Sequence, residues 1–450
     1  MSPLLPWMLA AVAALLPSYQ IRFALFGIPT TALEVLVLLT IAVGTVNIIL
    51  NQKITSYQLP VTSYRWCAAI TLFLIAGSIS VLVAPDTRAA LGLWKAYIIE
   101  PIALFFIATL ALKTNEDRRR VVIGVACSGL FVALVAIWQK FSPDGILGLW
   151  PIYRSASNME WYTEETRRVT GVYPFPNAVG LLLAPIAVLL RGVLLHSVRR
   201  FTDGRRTIDK KQLALFIALT IASSLMTLAV FWARSHGGLV GIAAGIVVLG
   251  LLSQHWRRVT IQMLSLIVIL LLVSIPLRSL VIEEFGGADP SIGIRVKQYK
   301  ETWRCLIASP RTFLLGGGLS GYKQLVAPCH KSKAIEIYQY PHDIFLNFWS
   351  EMGLLGLGSF CAIVVLYYRR GLLFIFGERR RMRAHETDIV HPNATALPIA
   401  LLGAMTTLLV HGLVDVPYFK NDLAILFWLL VALLLTATAS QQRAVHDASR

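Results

Sequence analysis

The chain is a succession of apolar runs separated by short polar breaks, at roughly 4–17, 32–50, 66–84, 90–112, 121–140, 177–190, 212–232, 237–253, 260–278, 343–367, 396–414 and 421–438. Most approach the ~20 apolar residues that a helix needs to cross a bilayer. In lipid, a single segment satisfies all its backbone polar groups only as a helix. The pattern predicts an all-α polytopic membrane protein with about twelve transmembrane helices. The first run is short and could extend through Tyr19–Phe26, so eleven or twelve spans are both compatible with the pattern. Residues 1–450 read as a single integral membrane domain, without internal repeat, low-complexity tract or second soluble domain.

Two interruptions are long, 141–176 and 279–341. Loops of that length are usually functional or disordered, and their content of Trp and Tyr favours order here. In the second, Ile294, Lys297, Tyr299–Trp303 and Ile307 form a partly amphipathic stretch suited to the membrane surface. A long, partly helical loop is therefore expected there.

Charge orients the pattern. Of the 450 residues 56% are hydrophobic and only 14% charged, far below the quarter usual in soluble domains. The basic runs KTNEDRRR (113–120), RRFTDGRRTIDKK (199–211) and RR…GERRRMR (369–383) fall in alternate loops. That is the positive-inside pattern; it assigns those loops and both termini to the cytoplasm and the two long loops to the periplasm. A net charge of +17 would suggest nucleic acid in a soluble protein. Here topology and contact with anionic membrane lipids account for it, and no nucleic-acid partner is expected. The first seventeen residues have no charged leading region, so they read as a span and not as a cleaved leader. The localisation expected is the bacterial inner membrane, multi-pass.

A sparser set of basic residues, Arg167, Arg168, Arg234 and Arg295, falls on the periplasmic side beside His342, where topology does not ask for arginine. The planar guanidinium fork suits phosphate or diphosphate; the bland alternative is snorkelling to headgroups. Arg234, in a short break with apolar flanks, fits that alternative worst. His342 follows Pro341 at the start of a span, where a histidine can act as general base or simply bond a loop carbonyl. Asp343 adjoins it, but neighbouring helix positions do not face each other. Asn177 is placed to cap its span. His411 and Asp415, four apart, are expected to share one helix face, tied by a hydrogen bond and standing behind the site. Gly316, Gly317 and Gly318 lack the lysine and strand–helix setting of a nucleotide loop and read as a tight turn. Carboxylates at Glu283, Glu284, Asp289, Glu301 and Glu336 are scattered, so no metal site and no cofactor are expected. Cys305 and Cys329 share the long periplasmic loop and are expected to form a disulfide, while Cys67, Cys127 and Cys361 lie within spans. Lys95 and Glu100 are the notable charges inside a span; they are what a lipid-linked glycan flippase or transporter would use.

RVTGVYPFPNAVGLLL, FWARSHGGLVG, IGIRVKQYKETW with SPRTFLLGGGLSGY, and YPHDIFLNFWSEMGLLGL, in that order, resemble the O-antigen ligase/polymerase superfamily, and HGLVDVPYF resembles its pattern before the last span. The family histidine is usually followed by Asn, where this chain has Asp343. The resemblance implies a GT-C-like, metal-independent glycosyltransferase that moves glycan from an undecaprenyl diphosphate donor to an acceptor at the periplasmic face. It implies His342 as the base and Arg168, Arg234 and Arg295 as diphosphate and sugar contacts; Arg167 is the weaker of its pair as a substrate contact, since one of two neighbours usually points to water. Among its members, the layout most resembles O-antigen ligases, which use lipid A–core as acceptor. O-antigen polymerase and protein O-oligosaccharyltransferase are the alternatives.

Overall fold

A computed structural model describes residues 2–51, 63–142, 168–202, 210–276, 279, 290–331, 337, 339–383 and 394–448. Each expected apolar run is a helix. The first seven are α1 (Leu4–Ala14), α2 (Ala32–Asn51), α3 (Tyr64–Val83), α4 (Thr87–Ala111), α5 (Asn115–Phe141), α6 (Pro176–Thr202) and α7 (Lys210–Trp232). Next come α8 (His236–Leu252) and α9 (Arg257–Val273), then, in the second long loop, α10 (Pro290–Leu306), α11 (Pro310–Leu315) and α12 (Tyr322–Val326). The chain closes with α13 (Ile344–Arg383), α14 (Ala396–His411) and α15 (Asn421–Ala448). Eight of these are long and apolar enough to cross a membrane, and α1, α8 and α14 are shorter apolar helices. The protein is an all-α polytopic membrane protein. The first span does not extend: Pro17 opens a 3-10 turn (Leu16–Gln20), and the chain then pairs β1 (Arg22–Leu25) with β2 (Ile28–Thr31) as a hairpin. Phe26 and Gly27 at its tip have φ of 52° and 78°, the two-residue turn that matches strand twist.

The centre is built from α6 and α15, whose apolar windows are 83% and 94% buried, whereas α9 has no buried residue. Against α6 pack α8 and α14, and the latter two approach closely because small residues face each other. A Cβ on Gly245 would sit 2.2 Å from Thr407 Oγ1, so any larger side chain would force α8 and α14 apart. In α4, residues Lys95–Ile99 form a π-helical turn. That wider turn puts positions five apart on one side: Lys95 lies 4.0 Å from Glu100 and pairs closely with Glu34 of α2. The Lys95–Glu100 contact that simple helical spacing leaves open is thus made, while the pair with Glu34 fastens α4 to α2.

The glycine triplet is a turn, as expected. Gly316 and Gly318 have φ of 68° and 79°. Gly317 N donates to Ser350 O at 2.7 Å, and Leu319 N donates to Ser80 O of α3 at 3.3 Å. Within α13, Gly353 has φ 68° and ψ −174°, which divides the helix into a short opening segment up to Met352 and a long one. The glycine turn therefore occupies the kink and fixes the angle of the segment that follows His342. On α10 the buried face is polar at Gln298, Glu301 and Thr302 and apolar at Cys305 and Leu306, while Val296 and Trp303 are exposed on the other side.

Cys305 and Cys329 are bridged, with Cα atoms 5.8 Å apart, and Cys305 packs with Leu306, Leu325 and Trp349. Cys67 and Cys127 lie exposed on the flanks of their helices and Cys361 is half-buried. Alkylation without reduction should therefore modify at most three of the five cysteines in intact mass measurement; labelling of all five would contradict the bridge. Replacing both bridged residues by serine should lower stability by about 3 kcal/mol, read from denaturant midpoints.

Candidate active site

Pro341 leads the chain into the end of the bundle where three elements meet. His342 has φ 53°, a left-handed conformation that costs an ordinary residue about 1–2 kcal/mol. Asp343 then caps α13, its Oδ1 accepting from Leu346 N at 2.7 Å. Burial pushes the Asp343 carboxyl up, partly offset by backbone donors at Leu346 and Phe345. Asp343 is thus committed to the helix end and does not orient the histidine. Two bonds hold this corner against the turn that follows α14. Ile344 N donates to Gly412 O at 2.7 Å, and the Tyr299 hydroxyl lies 2.9 Å from both His342 O and Leu413 O.

That turn supplies the partner of His342. His342 Nδ1 lies 3.6 Å from Asp415 Oδ1, an ion-pair distance longer than a hydrogen bond. The histidine side chain is 19% exposed and the aspartate 4%, so the ring has a reachable edge and the carboxylate is shut in. Burial would raise the Asp415 carboxyl, but His342 first, then His411 and Lys420, outweigh it and hold the group well below the usual carboxylate range. Asp415 is therefore an anion at neutral pH, with Nδ1 of the ring as its neighbour. The Tyr340 ring stands edge-on to the imidazole at 4.8 Å. Burial lifts the phenols of Tyr340 and Tyr299 well above their ordinary value, Arg295 opposing in both cases, so both remain proton donors.

The expected His411–Asp415 pairing does not occur. α14 stops at His411, and residues 412–415 turn away, so the two do not share a helix face. His411 is instead buried against α6 and α8: a Cβ on Gly237 would lie 2.7 Å from His411 Cδ2, and one on Gly180 would lie 3.1 Å from Cε1. The two glycines make room for the ring.

The arginines reach the same end by different routes. Arg168 Nε donates to Ala233 O at 3.1 Å and Nη2 to Asn177 Oδ1 at 3.4 Å. Asn177 sits inside α6 behind Pro176, so it receives Arg168 and does not cap the helix. Gln139 Oε1 accepts from Thr170 N and Gly171 N at 2.8 and 2.9 Å, pinning the segment after Arg168 to α5. Arg168 thereby braces the break between α7 and α8, where Arg234 has φ 49° and an exposed side chain. Ser235, next to it, is buried within reach of Gly180. Arg295 lies one turn before Tyr299 on α10, which puts it on the face that bonds the His342 carbonyl. Among the described residues, four other than glycine have positive φ, and His342 and Arg234 are two of them; strain of this kind collects at functional sites. Arg167 lies outside the described residues, as do Glu283, Glu284, Asp289 and Glu336.

Sequence reasoning did not single out Tyr340, Lys420, Gln139 or Arg22. Arg22 on β1 stands within electrostatic range of the buried Tyr97, whose carbonyl accepts from Tyr418 OH at 2.8 Å. The IYQYP run signalled an aromatic rim, and Arg295 with Tyr299 at helical spacing was a usable cue for a shared face.

The site can accept a proton at a carboxylate-backed histidine, with the strained, exposed Arg234 and the half-buried Arg295 on elements at the same end of the bundle. No curated protein matches the chain. Residues 221–361, from within α7 through His342 into the kinked α13, match the family model described as O-antigen ligase, and over that stretch the chain is similar to that family.

Proposed function

We propose that the protein is an O-antigen ligase of lipopolysaccharide biosynthesis. It transfers glycan from undecaprenyl diphosphate to lipid A–core at the periplasmic face of the inner membrane. The observation that carries this reading is the His342–Asp415 pair at the bundle end, with Arg234 and Arg295 on two of the elements around it. The family match over residues 221–361 supports a reaction of the O-antigen ligase type.

The acceptor hydroxyl attacks the anomeric carbon of the donor. The carbon–oxygen bond to the diphosphate breaks, its electron pair passes to the departing oxygen, and the hydroxyl proton passes to Nε2 of His342. Asp415, across the ring, balances the positive charge the imidazole gains, the part a buried carboxylate plays behind a histidine base. Arg234 and Arg295 neutralise the diphosphate as charge builds on it, a task that otherwise falls to a divalent cation. Arg168 serves from behind, holding the α7–α8 break through Ala233 and Asn177. Attack opposite the leaving group inverts the anomeric centre.

In a strain lacking the gene, core-only lipopolysaccharide with long glycan retained on the carrier is the expected phenotype. Core bearing a single repeat unit would instead indicate a polymerase. His342→Ala, expressed and monodisperse, should lower transfer by about 10²–10⁴-fold. Arg295→Lys keeps the charge but loses the fork and should still lose about 10²-fold. Asp415→Asn should lower the rate across the whole range from about pH 5 to 8, because the native carboxylate stays ionised well below that window. A loss that disappears at the acid end and is confined to higher pH would show that the carboxylate titrates within that window. NMR of the new linkage should show inversion; retention would rule out single displacement.

A further inference from the structure

At the other end of α13 a second site is built. Leu366, Arg369, Arg370, Leu373 and Phe374 fall at helical spacings of three, four, seven and eight, so they form one stripe on α13. The stripe faces the start of α3, and together they enclose a cavity of about 200 Å³ completed by Trp66 and Ser63. Among the described residues, no acidic side chain lines it. The cavity lies 17 residues beyond the Gly353 kink along the straight part of α13, roughly 25 Å at 1.5 Å per residue, close to the ~30 Å hydrocarbon core of a bilayer. It is thus at the interface opposite His342, on the face the positive-inside pattern assigns to the cytoplasm.

Three features converge on a ligand that is part anion and part hydrocarbon. Arg370 is held in place by a 2.9 Å bond from its Nε to Thr438 Oγ1 of α15, and Arg369 beside it is exposed. The Ser63 hydroxyl makes no capping bond to α3, so the positive end of a 20-residue helix opens on the same space. Trp66 is the type of ring that settles at headgroup depth, and Leu373, 58% exposed, carries the apolar wall of the cavity out to the lipid-facing surface.

We infer that this cavity binds the headgroup of an anionic phospholipid, its phosphate between Arg369, Arg370 and the start of α3, its acyl chain along Leu373 and Phe374. A lipid so placed ties α3 to α13, the two helices that also meet at the glycine turn behind His342. The inference does not depend on the reaction catalysed at the far end.

The test uses the full-length purified protein with phosphatidylglycerol, phosphatidylcholine or inorganic phosphate, read by native mass spectrometry and by thermal shift. Phosphatidylglycerol should be retained in preference to phosphatidylcholine and should raise the melting temperature, and inorganic phosphate should not. Each arginine near an anionic headgroup strengthens binding about five-fold, so Arg369→Gln should weaken phosphatidylglycerol retention by that factor and Arg369→Gln/Arg370→Gln by more. Because Arg370 also bonds α15, the single Arg369→Gln variant decides if the double variant fails to fold. Equal retention of both lipids, or wild-type retention by Arg369→Gln, would overturn the inference. Stabilisation by inorganic phosphate equal to that by phosphatidylglycerol would make this a free-anion site and overturn the lipid assignment.

Discussion

The candidate site rests on one buried charge. Asp415 is shut away from water, and an isolated carboxylate in that position would be several kcal/mol unfavourable. It is tolerable because His342, His411 and Lys420 surround it. That arrangement in turn requires the corner before α13 and the turn after α14 to be held together, which the Ile344–Gly412 bond and the two contacts of the Tyr299 hydroxyl accomplish. The left-handed backbone at His342 belongs to the same compromise. An ordinary helix entry would leave the ring elsewhere, and the local strain is small beside the cost of an unpaired Asp415.

Farther from the site, small residues and special turns set where the helices end. Gly245 brings α8 against Thr407, and Gly237 and Gly180 leave space for His411, so the end of α14 falls beside the α7–α8 break. Gly353 lets α13 change direction, and the Gly316–Gly318 turn fills the bend and reaches Ser80 of α3. The kink keeps the segment after His342 short, at nine residues from Ile344 to Met352, and separate in direction from the membrane-crossing part. A rigid frame of this kind suits a reaction in which a proton acceptor and fixed cations act on one bond.

The number and order of helices were legible because hydropathy reports directly on the solvent around each segment. So were the turn at Gly316–Gly318 and the cystine. Asp415 was legible as a residue but not as the partner of His342. Spacing of four suggests a shared helix face only while the helix lasts, and α14 ends at His411. Asn177 likewise looked like a cap, yet Pro176 starts the helix and frees the amide to receive Arg168. Lys95 and Glu100 could be paired only by a π-helical turn, which apolar periodicity does not announce. Arg118 shows the limit of reading charge by position. It belongs to a basic run that topology explains, yet it is 2% exposed and bonds the carbonyls of Leu112, at the end of α4, and Thr436, within α15. Long-range partners of this sort exist only in the folded chain. The family match spans Arg234, Arg295 and His342 but not Arg168, His411 or Asp415, so the geometry alone joins the two groups.

The most direct test of the central claim is a transfer assay with purified protein, undecaprenyl-diphosphate-linked glycan and lipid A–core. It follows glycosylated core and released undecaprenyl diphosphate together, for the wild type and for His342→Ala of unchanged melting behaviour. The account predicts equal appearance of both products with the wild type and neither above background with the variant. Transfer by His342→Ala at the wild-type rate, or carrier release without glycosylated core in the wild type, would contradict it.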